Sequence, residues 1–231
     1  MTIRHKSSRI LSTYVEDVED SEKRTPSAER LVAFSDAVIA IVITLLVLEI
    51  KVPHVEEGGN AALTMALLNQ WPSYLSFIVS FMIIGVTWAN HHTMFAHIKR
   101  TDHMFLLINL LFLFWIAAIP FASALLGEYI QRPEEQTAAV VYGGVLTIGG
   151  VFFNLIWVYA TGPSNLVDRK SNPVHLRALR HSFMFGPVLY FLVTLVAFWN
   201  VEVSLACYIL LGLLYAMPLA SFRHLLQPRS A

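Results

Sequence analysis

Long stretches free of charge, separated by short charged clusters, set the pattern of this chain. No Asp, Glu, Lys or Arg occurs in 58–98, 103–127, 136–167, 181–201 or 203–222. Each run reaches the roughly 20 residues a helix needs to cross the hydrocarbon layer of a bilayer. A sixth apolar run fills 31–50, with Asp36 near its start and Glu49 near its end. Backbone groups in lipid are satisfied only within a helix or a closed barrel, and these runs lack the polar alternation of barrel strands. The pattern therefore predicts helices at about 29–50, 71–98, 102–126, 136–161, 175–198 and 203–223. Turn signals fall between them: Gly58-Gly59-Asn60, Gly127 with Pro133, and Gly162-Pro163. The stretch 61–70 is mildly amphipathic and reads as an interfacial helix before Trp71.

Composition agrees with this reading. Of 231 residues, 56% are hydrophobic and 14% charged, and the mean hydropathy is +0.59, whereas a soluble domain carries about 25% charged residues. The expected fold class is an all-α integral membrane protein with six transmembrane helices. Net charge is zero, but its distribution is informative. Fourteen basic residues lie in 1–30, 99–100, 169–180 and 223–229, and the alternate loops hold only Lys51 and Arg132. The positive-inside rule then places both termini in the cytoplasm and supports an even number of spans. Three parts follow: a charged cytoplasmic arm at 1–28 with no signal-peptide pattern, a six-helix domain at 29–223, and a short cytoplasmic tail at 224–231. Nothing in this arrangement points to nucleic acid.

Trp71, Tyr74, Tyr129, Tyr142, Trp157, Tyr159, Trp199 and Tyr215 lie mostly toward the ends of the expected spans, as in an aromatic belt. The lone Cys207 permits no internal disulfide and reads as a small packing residue. Gly143, Thr147 and Gly150 share a helix face and read as a close-packing surface rather than as a carbonyl-lined filter, which requires non-helical backbone.

Candidate chemistry gathers near one membrane face. Asp36 lies seven residues beyond Glu29 on the first helix, roughly 10 Å in at 1.5 Å per residue. Trp88, Asn90, His91 and His92 near the end of the second helix, Asn109 early in the third and His181 early in the fifth fall at similar depth. Ionisable groups within a membrane require partners and mark functional or assembly sites. Three readings fit: a polar network fixing helix packing, a proton relay using Asp36 and His91, and haem or metal ligation. The last is disfavoured because His91 and His92 are adjacent, about 100° apart on a helix. No metal site is expected. Ala37, Ile41, Leu45 and Leu48 form one stripe along the first helix with Thr44 at its edge. That stripe suits packing against lipid or a neighbouring helix best, and it also fits the axis of a symmetric oligomer.

The run Arg30-x-x-x-Phe34-Ser35-Asp36 opening an apolar first helix resembles the signature of the transmembrane protein 175 family of potassium channels. Trp88-x-x-His91-His92, Asn109, and Pro120-Phe121 through Gly127-Glu128-Tyr129 extend the resemblance over the chain. The resemblance implies a potassium-permeable leak channel with first helices around the pore and no enzyme chemistry. It implies a constriction at Ile41, further apolar layers at Leu45 and Leu48, and a hydroxyl layer at Thr44 that helps select potassium. Arg30, Phe34, Ser35, Asp36, Trp88, His91, His92 and Asn109 would form the motif and its inter-helix network. The motif occurs once here, whereas animal members carry two six-helix repeats. A single repeat implies a prokaryotic-type homotetramer in the plasma membrane, with no cofactor beyond the permeating potassium ions. The competing expectation is a proton-coupled or proton-conducting transporter in which Asp36 and His91 titrate.

Overall fold

A computed structural model describes residues 28–168 and 172–216. The charged arm through residue 27, Arg169 and Lys170, and the tail with Arg223 and Arg229 lie outside the described residues. The described chain is helical: α1 (Ala28–Leu45), α2 (Gly59–Asn69), α3 (Trp71–Phe95), α4 (His103–Ala117), α5 (Ile119–Tyr129), α6 (Glu135–Thr161), α7 (Pro173–Val196) and α8 (Val201–Ala216). Five segments are long and apolar enough to cross a membrane: Ala28–Glu49, Trp71–Phe95, His103–Tyr129, Glu135–Thr161 and Leu176–Val196. Val201–Leu214 is a shorter apolar helix, and residues 217–223 of the expected sixth span lie outside the described residues.

Helix boundaries follow local chemistry. Asp102 caps α4 by accepting from the Phe105 backbone N–H at 2.8 Å, and its second carboxylate oxygen accepts from the Tyr159 hydroxyl at 2.9 Å. Asn172 caps α7 through the Val174 N–H at 2.9 Å, next to a proline in the first turn where no N–H is needed. Asn200 accepts from the Val203 N–H at 2.8 Å at the start of α8.

Three expectations are refined. The first span does not remain α-helical to residue 50, because after Leu45 it tightens into a 3₁₀ turn, Leu46–Glu49. The third span is two helices joined at Ala118. Pro120, in the first turn of α5, lacks the N–H that would continue the ladder, and its ring crowds the preceding turn. The amphipathic stretch before Trp71 is helical, but α2 buries no residue.

The core lies where α3, α4, α5 and α6 meet, around Ile84, Phe112, Ala122, Tyr142 and Trp157. Membrane helices gain little from hydrophobic exclusion against each other, so close approach and interhelical hydrogen bonds matter more. Both are present. Gly143 sits against Tyr208 and Thr194, where a Cβ would lie 2.0 and 2.2 Å from their oxygens, and Gly150 faces Pro187. The close-packing reading of this α6 face therefore holds for its two glycines. The Ser80 hydroxyl donates to Ser123 at 2.9 Å and lies 3.0 Å from the Tyr142 hydroxyl, tying α3, α5 and α6 together. Pro187 leaves the Phe183 carbonyl without its usual partner in α7. Asn154 of α6 supplies one at 2.9 Å, and also donates to its own helix at Gly150.

Loops expected on one membrane side do meet. Ile98 and Val167 form an antiparallel bridge, and Asp168 donates its backbone N–H to His97 at 2.9 Å. At the other end of the bundle, Gln136 donates to the Phe198 carbonyl at 2.8 Å, and Gln70 donates to the Lys51 carbonyl at 2.8 Å.

The two neighbouring glycines of α6 give a paired test. Gly143→Ala should lower the unfolding temperature of the purified protein, because overpacking of this kind costs about 1–3 kcal/mol. Gly144→Ala meets nothing within 4 Å and should leave the melt unchanged or raise it slightly, as helix propensity favours alanine by about 1 kcal/mol.

Candidate functional site

The first helix has two unlike faces. Ser35, Ile39, Val42 and Leu46 are buried against its own subunit, with α3 and α4 as its main neighbours. Phe34, Ile41, Leu45 and Leu48 point away: Ile41 is 59% and Leu48 71% exposed, against 2% for Ile39 and 1% for Leu46. The spacing follows directly from 3.6 residues per turn, which separates the two sets by about a third of a turn. Thr44 lies on the exposed side and donates its hydroxyl hydrogen to the Ile41 carbonyl at 2.8 Å. Its oxygen keeps lone pairs free to accept.

Two polar connections fix the rotation of α1. Trp88 of α3 donates its indole N–H to Asp36 Oδ1 at 3.0 Å. One residue earlier, the buried Ser35 hydroxyl oxygen accepts from Asn109 Nδ2 of α4 at 2.9 Å. Asn109 Oδ1 lies 3.2 Å from His91 Nε2 of α3. With the carboxamide N–H aimed at Ser35, the oxygen left for His91 can only accept, so the imidazole carries its hydrogen on Nε2. His91 Nδ1 is buried without a partner. The ring is fully buried and stacks on Phe95 at 4.3 Å and on Phe112 at 5.5 Å, nearly parallel to the latter at 9°.

The structure thus brings together Ser35, Asp36, Trp88, His91 and Asn109 from three helices. Other expected members stand apart. Arg30 and His92 are exposed; Arg30 pairs with no carboxylate among the described residues, and His92 lies beside the Trp88 ring, at 6.1 Å. Phe34 is 52% exposed. Asn90 faces a separate cleft, and His181 is exposed on α7, so neither joins the network. His91 and His92 diverge as the helix period requires, and no group of three His, Cys, Asp or Glu suited to a metal ion occurs among the described residues.

Phe95 and Phe112, which enclose the imidazole, were not foreseen. Phe95 sits four residues after His91 on the same helix face, a signal available from spacing. Phe112 comes from another helix, and nothing local announces it.

The family model described as the endosomal/lysosomal potassium channel TMEM175 matches residues 30–120. A potassium channel of Chamaesiphon minutus is 40% identical over 188 residues, which cover 81% of this chain and 93% of that protein. The endosomal/lysosomal proton channel TMEM175 of Gallus gallus is 34% identical over 184 residues, covering 75% of this chain but 36% of its own length. The crystal structure of a lysosomal potassium-selective channel TMEM175 homolog from Chamaesiphon minutus superposes with a TM-score of 0.74 at 39% identity, over 82% of this chain and 96% of that one.

Replacing Asn109 by Leu orphans Ser35 on one side and His91 on the other. Each buried group left unpaired costs about 1–3 kcal/mol, so Asn109→Leu should melt well below the parent in detergent. His92→Ala, on the exposed side of the same turn, should stay within about 0.5 kcal/mol of it. Equal stability of the two variants would contradict the bracing role.

Proposed function

This chain belongs to the TMEM175 family, and on that premise we propose that it conducts potassium through a pore formed where four copies bring their α1 helices to a common axis. It is a membrane protein of an ion-channel family and not an enzyme. The observation that carries the reading is the outward stripe of α1. Ile41, Leu45 and Leu48 are exposed from a helix whose opposite face is locked to its own subunit. Such a stripe is available to a partner copy without any rearrangement of the subunit.

Four copies of Ile41 would form a ring of branched apolar side chains, with Leu45 and Leu48 as further rings one and two turns along. A constriction of that kind resists hydration, and a cation crosses it only by giving up part of its water shell. Thr44 would then offer hydroxyl oxygens beside the apolar rings, a site at which a partly dehydrated potassium ion is compensated. Arg30, exposed on its own subunit, would serve the contact between subunits. The near-complete coverage of the bacterial relative supports a single-repeat subunit, and the distribution of basic residues supports a plasma-membrane orientation with both termini in the cytoplasm. The permeating potassium ions are the only ligands the mechanism requires.

A second reading is favoured by a specific observation: animal relatives are named proton channels. In that reading Asp36 exchanges protons with the pore, and His91 lies beside it in the same layer, joined through Asn109 to Ser35.

Liposomes containing the purified protein under a potassium gradient separate the two. Ile41→Asn should raise potassium flux and weaken discrimination against sodium, because a polar ring wets the constriction; unchanged flux and selectivity would remove Ile41 from the pore. Asp36→Asn should leave potassium permeation measurable under the first reading, whereas loss of a pH-gradient-driven proton flux with potassium flux retained would favour the second.

A further inference from the structure

A cleft outside the α1 network has a volume of about 70 Å³. One water needs about 10–15 Å³, so the cleft has room for several water-sized groups. Its deep wall is buried and apolar, with the rings of Phe112 of α4 and Phe153 of α6 set among aliphatic side chains. Its rim is half-buried, with Val86 and Asn90 of α3 facing Pro187 of α7. The opening is therefore lateral, between helices, and admits what is dissolved in the bilayer.

Carboxamides gather at one end of the cleft. On α6 it runs from Val145 to Asn154, about 13 Å at 1.5 Å per residue. Asn154 is tied to the Phe183 carbonyl, and Asn90 lies toward the same end, since α3 and α6 run in the same direction. Ile83, Ile119 and Val145 line the other end, together with Tyr190, whose ring stacks on Tyr208. The Asn90 carboxamide has no hydrogen-bond partner among the described residues, and Asn154 spends its N–H group on the backbone, leaving its oxygen to accept. No charged side chain lines the cleft.

We propose that this cleft binds a neutral membrane-dissolved amphiphile, with its apolar body against the apolar wall and a hydroxyl head between Asn90 and the Asn154 oxygen. A charged head has no counter-ion there, and a purely apolar molecule leaves the Asn90 amide unpaired, which disfavours both. Occupancy bears on α1. Phe112, part of the cleft wall, is the ring stacked on His91, and His91 connects through Asn109 to Ser35. A ligand that shifts Phe112 thus acts on the brace that orients the first helix.

The test uses full-length protein in liposomes and an octanol carrying a photoreactive diazirine on its chain, with adducts mapped by mass spectrometry. Adducts should fall on cleft residues such as Phe112 and Phe153, and excess 1-octanol should suppress them more strongly than octane. Val86→Trp, which fills the rim, should lose the cleft adducts while retaining those on outward-facing residues. Asn90→Leu should keep the adducts but erase the advantage of octanol over octane. Adducts confined to outward-facing Phe114 and Phe191, or cleft adducts undiminished in Val86→Trp, would overturn the site; an unchanged preference for octanol in Asn90→Leu would overturn the head-group assignment. Labelling is independent of ion conduction. A flux arm, in which octanol alters potassium flux in the parent but not in Val86→Trp, rests on the channel reading.

Discussion

The structure depends on a short set of hydrogen bonds between its membrane-spanning helices. Ser35 and Asp36 are adjacent on α1 but point to different helices, one to Asn109 of α4 and the other to Trp88 of α3. Two bonds in different directions from neighbouring residues fix the rotation of a helix about its own axis, which apolar contacts alone do poorly because lipid competes with them on equal terms. Once that rotation is fixed, every other position on α1 has its direction assigned. Ile39, Val42 and Leu46 turn inward, and Ile41, Leu45 and Leu48 turn outward. The polar residues therefore act on the proposed pore from a distance, by deciding which apolar residues reach it.

The same scarcity of hydrogen-bonding solvent explains the treatment of the two proline breaks. In water an orphaned carbonyl finds a solvent partner; in lipid the protein must supply one. Pro187 frees the Phe183 carbonyl, and Asn154 reaches across from α6 to meet it. Pro120 instead falls in the first turn of a new helix, after a break at Ala118. Thr87, Thr93, Thr161 and Ser76 likewise return their hydroxyls to carbonyls one turn back on their own helices. These four hydroxyls are satisfied locally, whereas Ser80, Asn109 and Asn154 brace one helix against another.

Helix approach and cleft are two outcomes of side-chain size along one helix. Where α6 presents Gly143, α7 and α8 come close enough for Thr194 and Tyr208 to occupy the vacated volume. Further along, α6 presents Gly149 and Gly150 beside the cleft, and Pro187 with Gly186 on α7 offers little bulk to close it. The network around His91 and the cleft share Phe112, so the packing of one constrains the other.

Most of the topology was legible in the sequence, because charge cannot be hidden in hydrocarbon. The uncharged runs give the spans, and the loops that the charge pattern assigns to one side are those that touch. The family motif was legible too, as was the layer at which Asp36, Trp88, His91 and Asn109 meet, since depth follows from counting residues along antiparallel helices. Sequence could not decide which members of that layer join. Depth is one coordinate, and rotation about each axis is another: His181 and Asn90 lie near the right level but face elsewhere, while Phe112, unmarked by any pattern, encloses the imidazole. Nor could it choose the direction of the Ile41 stripe, since apolar residues face lipid, core or partner with equal ease. Only the assembled subunit, with Ser35 and Asp36 bound to separate helices, turns that stripe outward.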